Sequence, residues 1–136
     1  GVHIAKDNSR MLGSNKTLIA TALSGALAVS LGAFGAHALD KTLTAEALRV
    51  YHTANQYHFW HTLALAFCAL SAGRPAPKKA AQIAFAIGLF LFSGSLYLYA
   101  VSGLRFLAMI TPLGGVALIV GWLCLAASFM APRTPR

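Results

Sequence analysis

The sequence predicts an all-α fold: an integral membrane bundle of four transmembrane helices, with a short interfacial helix between helices 1 and 2. Two observations lead to this prediction. Of the 136 residues, 57% are hydrophobic and 10% are charged, whereas a soluble domain carries about 25% charged residues. The apolar residues also collect into four runs, each near the roughly 20 residues that a helix needs to cross a bilayer. A chain this short cannot bury so much apolar surface in a water-soluble core.

One transmembrane domain, residues 17–130, is predicted between a polar N-terminal extension at 1–16 and a cytoplasmic tail at 131–136. The first apolar run exceeds the roughly 7 to 15 residues of a signal-peptide core, which favours a span, with cleavage after Ala38 as the minor alternative. The spans are predicted at 17–39, 54–72, 79–102 and 107–130.

The segment between the first two spans has its own helix signals. Thr44 is typical of an N-cap, and Glu46 follows in the first turn, where an acidic side chain is favourable. Apolar residues then recur at helical spacing, so the segment is predicted as an amphipathic helix at the interface, or as a continuation into the second span.

The distribution of Lys and Arg predicts the orientation. Eight of the eleven lie in the N-terminal extension, the loop between the second and third spans, and the tail, whereas Lys41, Arg49 and Arg105 lie on the opposite side. Because basic residues favour cytoplasmic loops, both termini are predicted to be cytoplasmic. In this setting the net charge of +8 indicates an anionic membrane surface and not nucleic acid.

The stretch YHTANQYHFWH, at 51–61, concentrates histidines and aromatic rings. His58 and His61 are neighbours on a helix, and His37 could add a third imidazole, which makes the three weak candidates for a metal or haem site. We expect no metal and no cofactor there, because His, Tyr and Trp rings at a span boundary typically anchor a helix at the membrane interface.

Small residues predict where the helices pack, since helices in lipid associate by close backbone approach. Thr111 and Pro112 are typical of an N-cap and a first helical position. Arg105, just before them, could bind a lipid phosphate or extend alone to the surface. The predicted packing positions are Gly25, Gly32, Gly35, Gly88, Gly94, Ser95, Gly114 and Gly115.

No catalytic residues are predicted, and the chain is not expected to be an enzyme. The three acidic residues, Asp7, Asp40 and Glu46, lie outside the predicted spans. A Ser-His-Asp arrangement therefore has no acid within the bundle, and no glycine-rich phosphate loop of the Walker type is present.

Five motifs carry a family resemblance: GAFGAHAL at 32–39, TANQYHFWHTLAL at 53–65, SGSLY at 93–97, TPLGG at 111–115 and GW at 121–122. With these motifs in this order, the chain resembles the small membrane proteins grouped as domain of unknown function 423, which include the eukaryotic transmembrane protein 256. The resemblance covers residues 17–130 and implies four transmembrane helices with no assigned activity. The positions that match are His37, Thr53, Ala54, Tyr57, His61, Ser93, Gly94, Ser95, Thr111, Pro112, Gly114, Gly115 and Trp122.

His58 departs from this pattern, because many bacterial members carry glutamine there, which leaves His37 and His61 as the polar pair. The leading hypothesis is a non-enzymatic accessory protein, or one that binds a lipid or quinone. Its site is expected in the outer leaflet, framed by His37, Tyr57, His61, Arg105 and Thr111. The alternatives are a small-solute transporter or channel acting as an oligomer, and a haem- or metal-binding redox protein using His37 and His61.

The expected location is the bacterial inner (plasma) membrane, as a multi-pass protein. The expected partners are membrane lipids and either further copies of the chain or a larger membrane complex, with no nucleic acid.

Overall fold

The computed structural model describes residues 2–131, without the side chains of residues 2, 3 and 5–14. All regular secondary structure in the described residues is helical, with no strand, which confirms the predicted all-α class. The predicted tail, apart from Ala131, lies outside the described residues. The helices are α1 (Val2–His37), α2 (Ala45–Leu70), α3 (Pro75–Gly88), α4 (Ser95–Ser102) and α5 (Phe106–Ser128), with a 3-10 turn at Leu39–Lys41 and a π-helical segment at Leu89–Gly94.

The start of α2 corrects the predicted interfacial helix. Thr44 caps the helix as its sequence predicts, since its hydroxyl accepts a hydrogen bond from the backbone N–H of Ala47 at 3.1 Å. No glycine or proline follows until Gly73, so nothing interrupts the backbone hydrogen bonds and the helix continues to Leu70. The residues assigned to a separate interfacial helix are therefore the first turns of α2.

Helices α3 and α4 form one continuous rod with the π-helical segment between them. Pro75 starts this rod at a position where its missing N–H costs nothing. Gly103 ends it in the left-handed conformation, with φ at 72°, which glycine adopts without steric strain. The extra residue of a π turn bulges the backbone, and Gly114 of α5 receives this bulge by close contact with Phe92.

The core lies where α2, α3 and α5 meet, while α1 packs mainly on α2 and lies apart from most of the α3–α4 rod. This arrangement leaves a cleft between α1 and the rod, with α2 as its floor. The core residues are Ala64, Leu65, Cys68, Ala81, Phe85, Leu118 and Leu125.

Three described helices are long and apolar enough to cross a membrane: Asn15–Lys41, Pro75–Ser102 and Phe106–Ser128. Large apolar side chains on their outer faces, such as Phe90 at 80% and Met109 at 77% exposed, face the surroundings and not the core. Such a surface requires lipid around it. Helix α2 is as long but carries a stripe of polar side chains toward its neighbours, which lowers its hydropathy.

Candidate functional site

A network of polar side chains joins α2 to α1 and α4. Asn55 donates hydrogen bonds to the carbonyl of Ala28 at 2.8 Å and to the phenol oxygen of Tyr97 at 2.9 Å. The two ring nitrogens of His58 lie 3.0 Å from the Tyr97 oxygen and 3.0 Å from the Ser24 oxygen. The Ser24 oxygen in turn lies 2.7 Å from that of Thr62. These side chains form a continuous chain of hydrogen bonds inside the helix assembly.

Tyr51 extends this polar stripe by one turn. Its hydroxyl donates to the carbonyl of Leu31 on α1, and its ring packs edge-on against Tyr97 at 5.1 Å between centroids. The spacing of Tyr51, Asn55, His58 and Thr62 along α2 puts all four on one face, because residues three and four apart are neighbours on a helix. The burial of Tyr51, His58 and Thr62 shows that this face packs inward.

His61 faces the other side of the assembly. Its Nδ1 lies 2.9 Å from the carbonyl of Tyr57, and its Nε2 accepts a hydrogen bond from the indole N–H of Trp122 at 3.1 Å. The Tyr57 ring stacks on the imidazole with an interplanar angle of 11°. A groove of about 620 Å³ opens beside these rings, but both nitrogens of His61 are already engaged.

The start of α2 at Ala45 places these rings in the interior of the helix, whereas the sequence predicted them at the start of a span. His58 lies 13 residues after Ala45, which is about 20 Å along a helix of 26 residues. The stretch at 51–61 therefore occupies the middle of α2. His58 and His61 are buried, at 7% and 4% exposure, and join α2 to neighbouring helices, whereas His52 is exposed.

His37 and His61 are not brought together. Helices α1 and α2 run antiparallel, with Gly35 opposite Tyr51 and Gly25 opposite Thr62. His37 lies 12 residues from Gly25, or about 18 Å along the axis. The two imidazoles therefore lie at different depths and cannot share a metal or a haem iron, which corrects the predicted polar pair. In the described part of the chain, no group of three or more His, Cys, Asp or Glu side chains could hold a metal ion.

The other predicted ligand residues are also dispersed. His37 and Arg105 are exposed at helix ends, while Thr111 is half-buried between α4 and α5. Thr111 does not cap a helix, because Gly103 ends the rod early enough for α5 to begin at Phe106. Its hydroxyl donates to the carbonyl of Leu107 at 3.2 Å and lies 2.6 Å from the Ser95 hydroxyl. Of the five residues, Tyr57 and His61 alone are in contact.

The small residues lie at close helix contacts in most cases. A Cβ on Gly32 would stand 2.8 Å from Asn55, and one on Gly35 would stand 2.5 Å from Tyr51. A Cβ on Gly88 would clash with Leu118, and one on Gly114 would clash with the backbone of the π-helical segment. Gly25 and Gly115 have room for a methyl group, and Gly94 faces the cleft instead of a neighbouring helix.

The cleft between α1 and the α3–α4 rod encloses about 690 Å³, within the roughly 300–1,000 Å³ of small-molecule sites. It extends along α1 from Thr17 to Leu31, or about 21 Å. Apolar side chains dominate its walls, and Lys79 and Gln82 lie at one end. Its polar groups elsewhere are those of Thr21, Ser24, His58, Ser93 and Tyr97.

Sequence reasoning missed Ser24, Ser93 and Tyr97 as site residues. Ser93 and Tyr97 were noted only as part of the SGSLY motif, and Ser24 carried no signal of its own. Their convergence depends on the splay of α1 and on the π-helical segment, neither of which has a periodic sequence signal.

Comparison with known proteins identifies the relatives of this chain. Residues 31–115 match a family model described as "Protein of unknown function (DUF423)". The chain is 43% identical over 115 residues to the UPF0382 membrane protein YwdK of Bacillus subtilis, covering 82% of this chain and 93% of that one. It is 44% identical to a UPF0382 membrane protein of Haemophilus influenzae, with 82% and 91% covered.

A third relative, the UPF0382 inner membrane protein YgdD of Escherichia coli, is 43% identical over 107 residues, with 77% of this chain and 82% of that one covered. No solved structure matches the chain. The family model and these relatives confirm the predicted resemblance, and their names agree with the apolar helices in describing a membrane protein. The chain belongs to the DUF423 family of membrane proteins.

Proposed function

We propose that this protein binds an amphiphilic, lipid-like molecule in the cleft between α1 and the α3–α4 rod, and that it does so without chemical turnover. The observation that carries the proposal is the cleft itself, an apolar space of about 690 Å³ with a few convergent polar side chains. Ligand sites of this kind combine apolar walls for affinity with a small number of polar groups for orientation.

The shape of the cleft supports an elongated ligand. Its length of about 21 Å along α1 is more than half of the roughly 30 Å hydrocarbon core, which suits an extended chain. The apolar walls suit a hydrocarbon or isoprenoid chain. Lys79 and Gln82 at one end suit a polar or anionic headgroup.

Binding without turnover is supported by the chemistry of the lining. The residues around the cleft include one cation and one imidazole but no carboxylate. His58 has both ring nitrogens engaged in hydrogen bonds to the protein, so it has no open position for proton transfer.

We place the cleft in a four-span topology, with α2 as the additional span and both termini in the cytoplasm. Helix α2 has 26 residues, about 39 Å, which is enough to cross the bilayer. Its polar face is covered by α1 and α4, and it presents apolar residues such as Leu63 and Phe67 to lipid.

The topology is tested with single cysteines introduced into a Cys68→Ala, Cys124→Ala background. An impermeant thiol reagent added to intact cells is expected to label Lys41→Cys and Arg105→Cys but to leave Pro75→Cys unlabelled until the membrane is broken. Labelling of all three in intact cells, or of Pro75→Cys alone, would reject the proposed orientation.

The cleft is tested with two bulky substitutions on α1. Ala20 is an exposed residue that lines the cleft, whereas Ala22 is also exposed but lies outside the cleft lining. Native mass spectrometry of protein extracted in mild detergent is expected to show a bound lipid-like molecule. Ala20→Trp should abolish this species, and Ala22→Trp should retain it.

Thermal unfolding of both variants establishes that each is folded. Absence of any bound species in the unmodified protein, or equal retention in the two variants, would count decisively against the cleft as the binding site.

A further inference from the structure

Ser93 has a buried hydroxyl without a partner. The residue is 2% exposed, and its oxygen makes no hydrogen bond in the structure. Several other helix hydroxyls donate to a carbonyl three or four residues earlier, as Thr21 does to Thr17. Ser93 lies within the π-helical segment, where carbonyls pair with N–H groups five residues later and the usual acceptor is displaced. Ser93 is one of the residues that line the cleft.

The side chains of the neighbouring polar network carry one more donor proton than the number of hydrogen bonds they form. Asn55 brings two protons, and Tyr97, Ser24, Thr62 and a neutral His58 bring one each, which makes six. These side chains form five hydrogen bonds: two from Asn55, two at the imidazole and one between Ser24 and Thr62. None of them has a further acceptor among the described residues, so one donor is unsatisfied.

The count does not depend on the tautomer of His58, which decides only where the surplus lies. With the proton on Nδ1, the ring donates to Tyr97, and the Tyr97 proton has no acceptor. With the proton on Nε2, the ring donates to Ser24, and the surplus is on Ser24 or Thr62. Tyr97 and Ser24 both line the cleft, and Thr62 contacts Ser24.

We propose that the ligand in this cleft carries a carbonyl oxygen on an apolar chain, and that the carbonyl accepts hydrogen bonds from Ser93 and from the surplus donor of the network. This inference rests on the function proposed above. Two unsatisfied O–H donors in an apolar cleft call for an acceptor, because leaving such a donor unpaired is costly in a low-dielectric environment. The ring carbonyl of a prenylated quinone and the ester carbonyl of a glycerolipid share this chemistry.

The test compares three probes on delipidated protein in detergent micelles. The probes are a benzoquinone with a decyl chain, a dioctanoyl glycerolipid, and decylbenzene, which lacks a carbonyl. Calorimetric titration measures their affinities for the unmodified protein, for Ser93→Ala and for Ser102→Ala. Ser102 is a matched control, since it is an exposed serine of α4 that lies outside the cleft.

We expect at least one carbonyl probe to bind more tightly than decylbenzene. Ser93→Ala should weaken that probe by about three- to tenfold, the loss of one hydrogen bond, and leave decylbenzene unchanged. Preference for the quinone or for the glycerolipid identifies the source of the carbonyl. In the infrared spectrum, the carbonyl band of the bound probe should lie at lower frequency than in the micelle and return toward its micelle position in Ser93→Ala.

Ser93→Ala should not lower the melting temperature of the ligand-free protein, because the hydroxyl has no partner to lose. Equal affinities for all three probes, with no effect of Ser93→Ala, would overturn the carbonyl inference and leave amphiphile binding in place. Failure of every probe to bind, in a protein whose native mass spectrum also shows no bound lipid, would overturn both. Should Ser93→Ala fail to fold, Ser93 is structural and the inference is likewise wrong.

Discussion

Gly114 and Gly115 are adjacent in α5 but lie in opposite steric situations, and this difference makes a sharp prediction. A Cβ on Gly114 would stand against the backbone of Leu91 and Phe92, well inside 3.0 Å. A Cβ on Gly115 would stand 3.7 Å from the Phe92 ring, which is an ordinary contact. The first clash is with backbone atoms of a packed helix, which cannot move aside as a flexible side chain does.

Substitution by alanine gives both positions the same gain in helix propensity, about 1 kcal/mol. That gain cancels when the two variants are compared, so the difference between them reports the clash. Overpacking of a close contact costs about 1–3 kcal/mol. We therefore expect Gly114→Ala to be less stable than Gly115→Ala by about this amount, and Gly115→Ala to be at least as stable as the unmodified protein.

The measurement is reversible unfolding in mixed micelles with an increasing fraction of denaturing detergent, followed by helical circular dichroism. Gly114→Ala should unfold at a lower fraction of the denaturing detergent. Equal midpoints for the two variants would refute the argument, because it would mean that the π-helical segment does not press its backbone against α5 at Gly114.

Three further substitutions test individual contacts by the same unfolding measurement. Tyr51→Phe removes the donor to the Leu31 carbonyl and should lower the free energy of unfolding by about 1 kcal/mol. Tyr99→Phe is the control and should lower it less, because the Tyr99 hydroxyl has no such bond. Similar losses of stability in the two variants would contradict this contribution. Arg74→Gln removes a donor to the carbonyl of Ala127 at the C-terminal end of α5 and should cost about 1 kcal/mol, with Arg49→Gln, at an exposed arginine outside the cleft, as the near-neutral control. Trp122→Phe and His61→Phe should show a coupling of about 0.6–2 kcal/mol in a double-mutant cycle; additive effects would mean that their hydrogen bond does not contribute.

Much of the fold could be predicted from the sequence, because lipid restricts the backbone to few kinds of secondary structure. In hydrocarbon, every backbone N–H and C=O must pair within the chain, so long apolar runs form helices. The stripe from Tyr51 to Thr62 could likewise be read from helical spacing alone. The N-cap at Thr44 is also local, since it requires only a side-chain oxygen and the turn that follows.

The predicted start of the second helix was wrong, and this error changed the expected position of the site along the helix. Polar residues before Ala54 suggested a boundary, but the Thr44 cap starts α2 at Ala45, and one of these residues, Tyr51, packs inward and donates to the carbonyl of Leu31 on α1. This shift of nine residues, about 14 Å, moves the histidines from the expected interface to the middle of the helix. Hydropathy cannot distinguish a polar side chain that faces headgroups from one that faces another helix.

The sequence by itself determined that the chain is helical, that it lies in a membrane, and which face of α2 is polar, because these properties depend on composition and on periodicity along one helix. Only the tertiary structure decided which partner each histidine contacts, because His58 contacts α1 and α4 whereas His61 contacts α5. It also decided that α1 stands apart from most of the α3–α4 rod and that the hydroxyl of Ser93, in the π-helical segment, has no partner. The cleft depends on distances between helices, and no local pattern in the sequence encodes them.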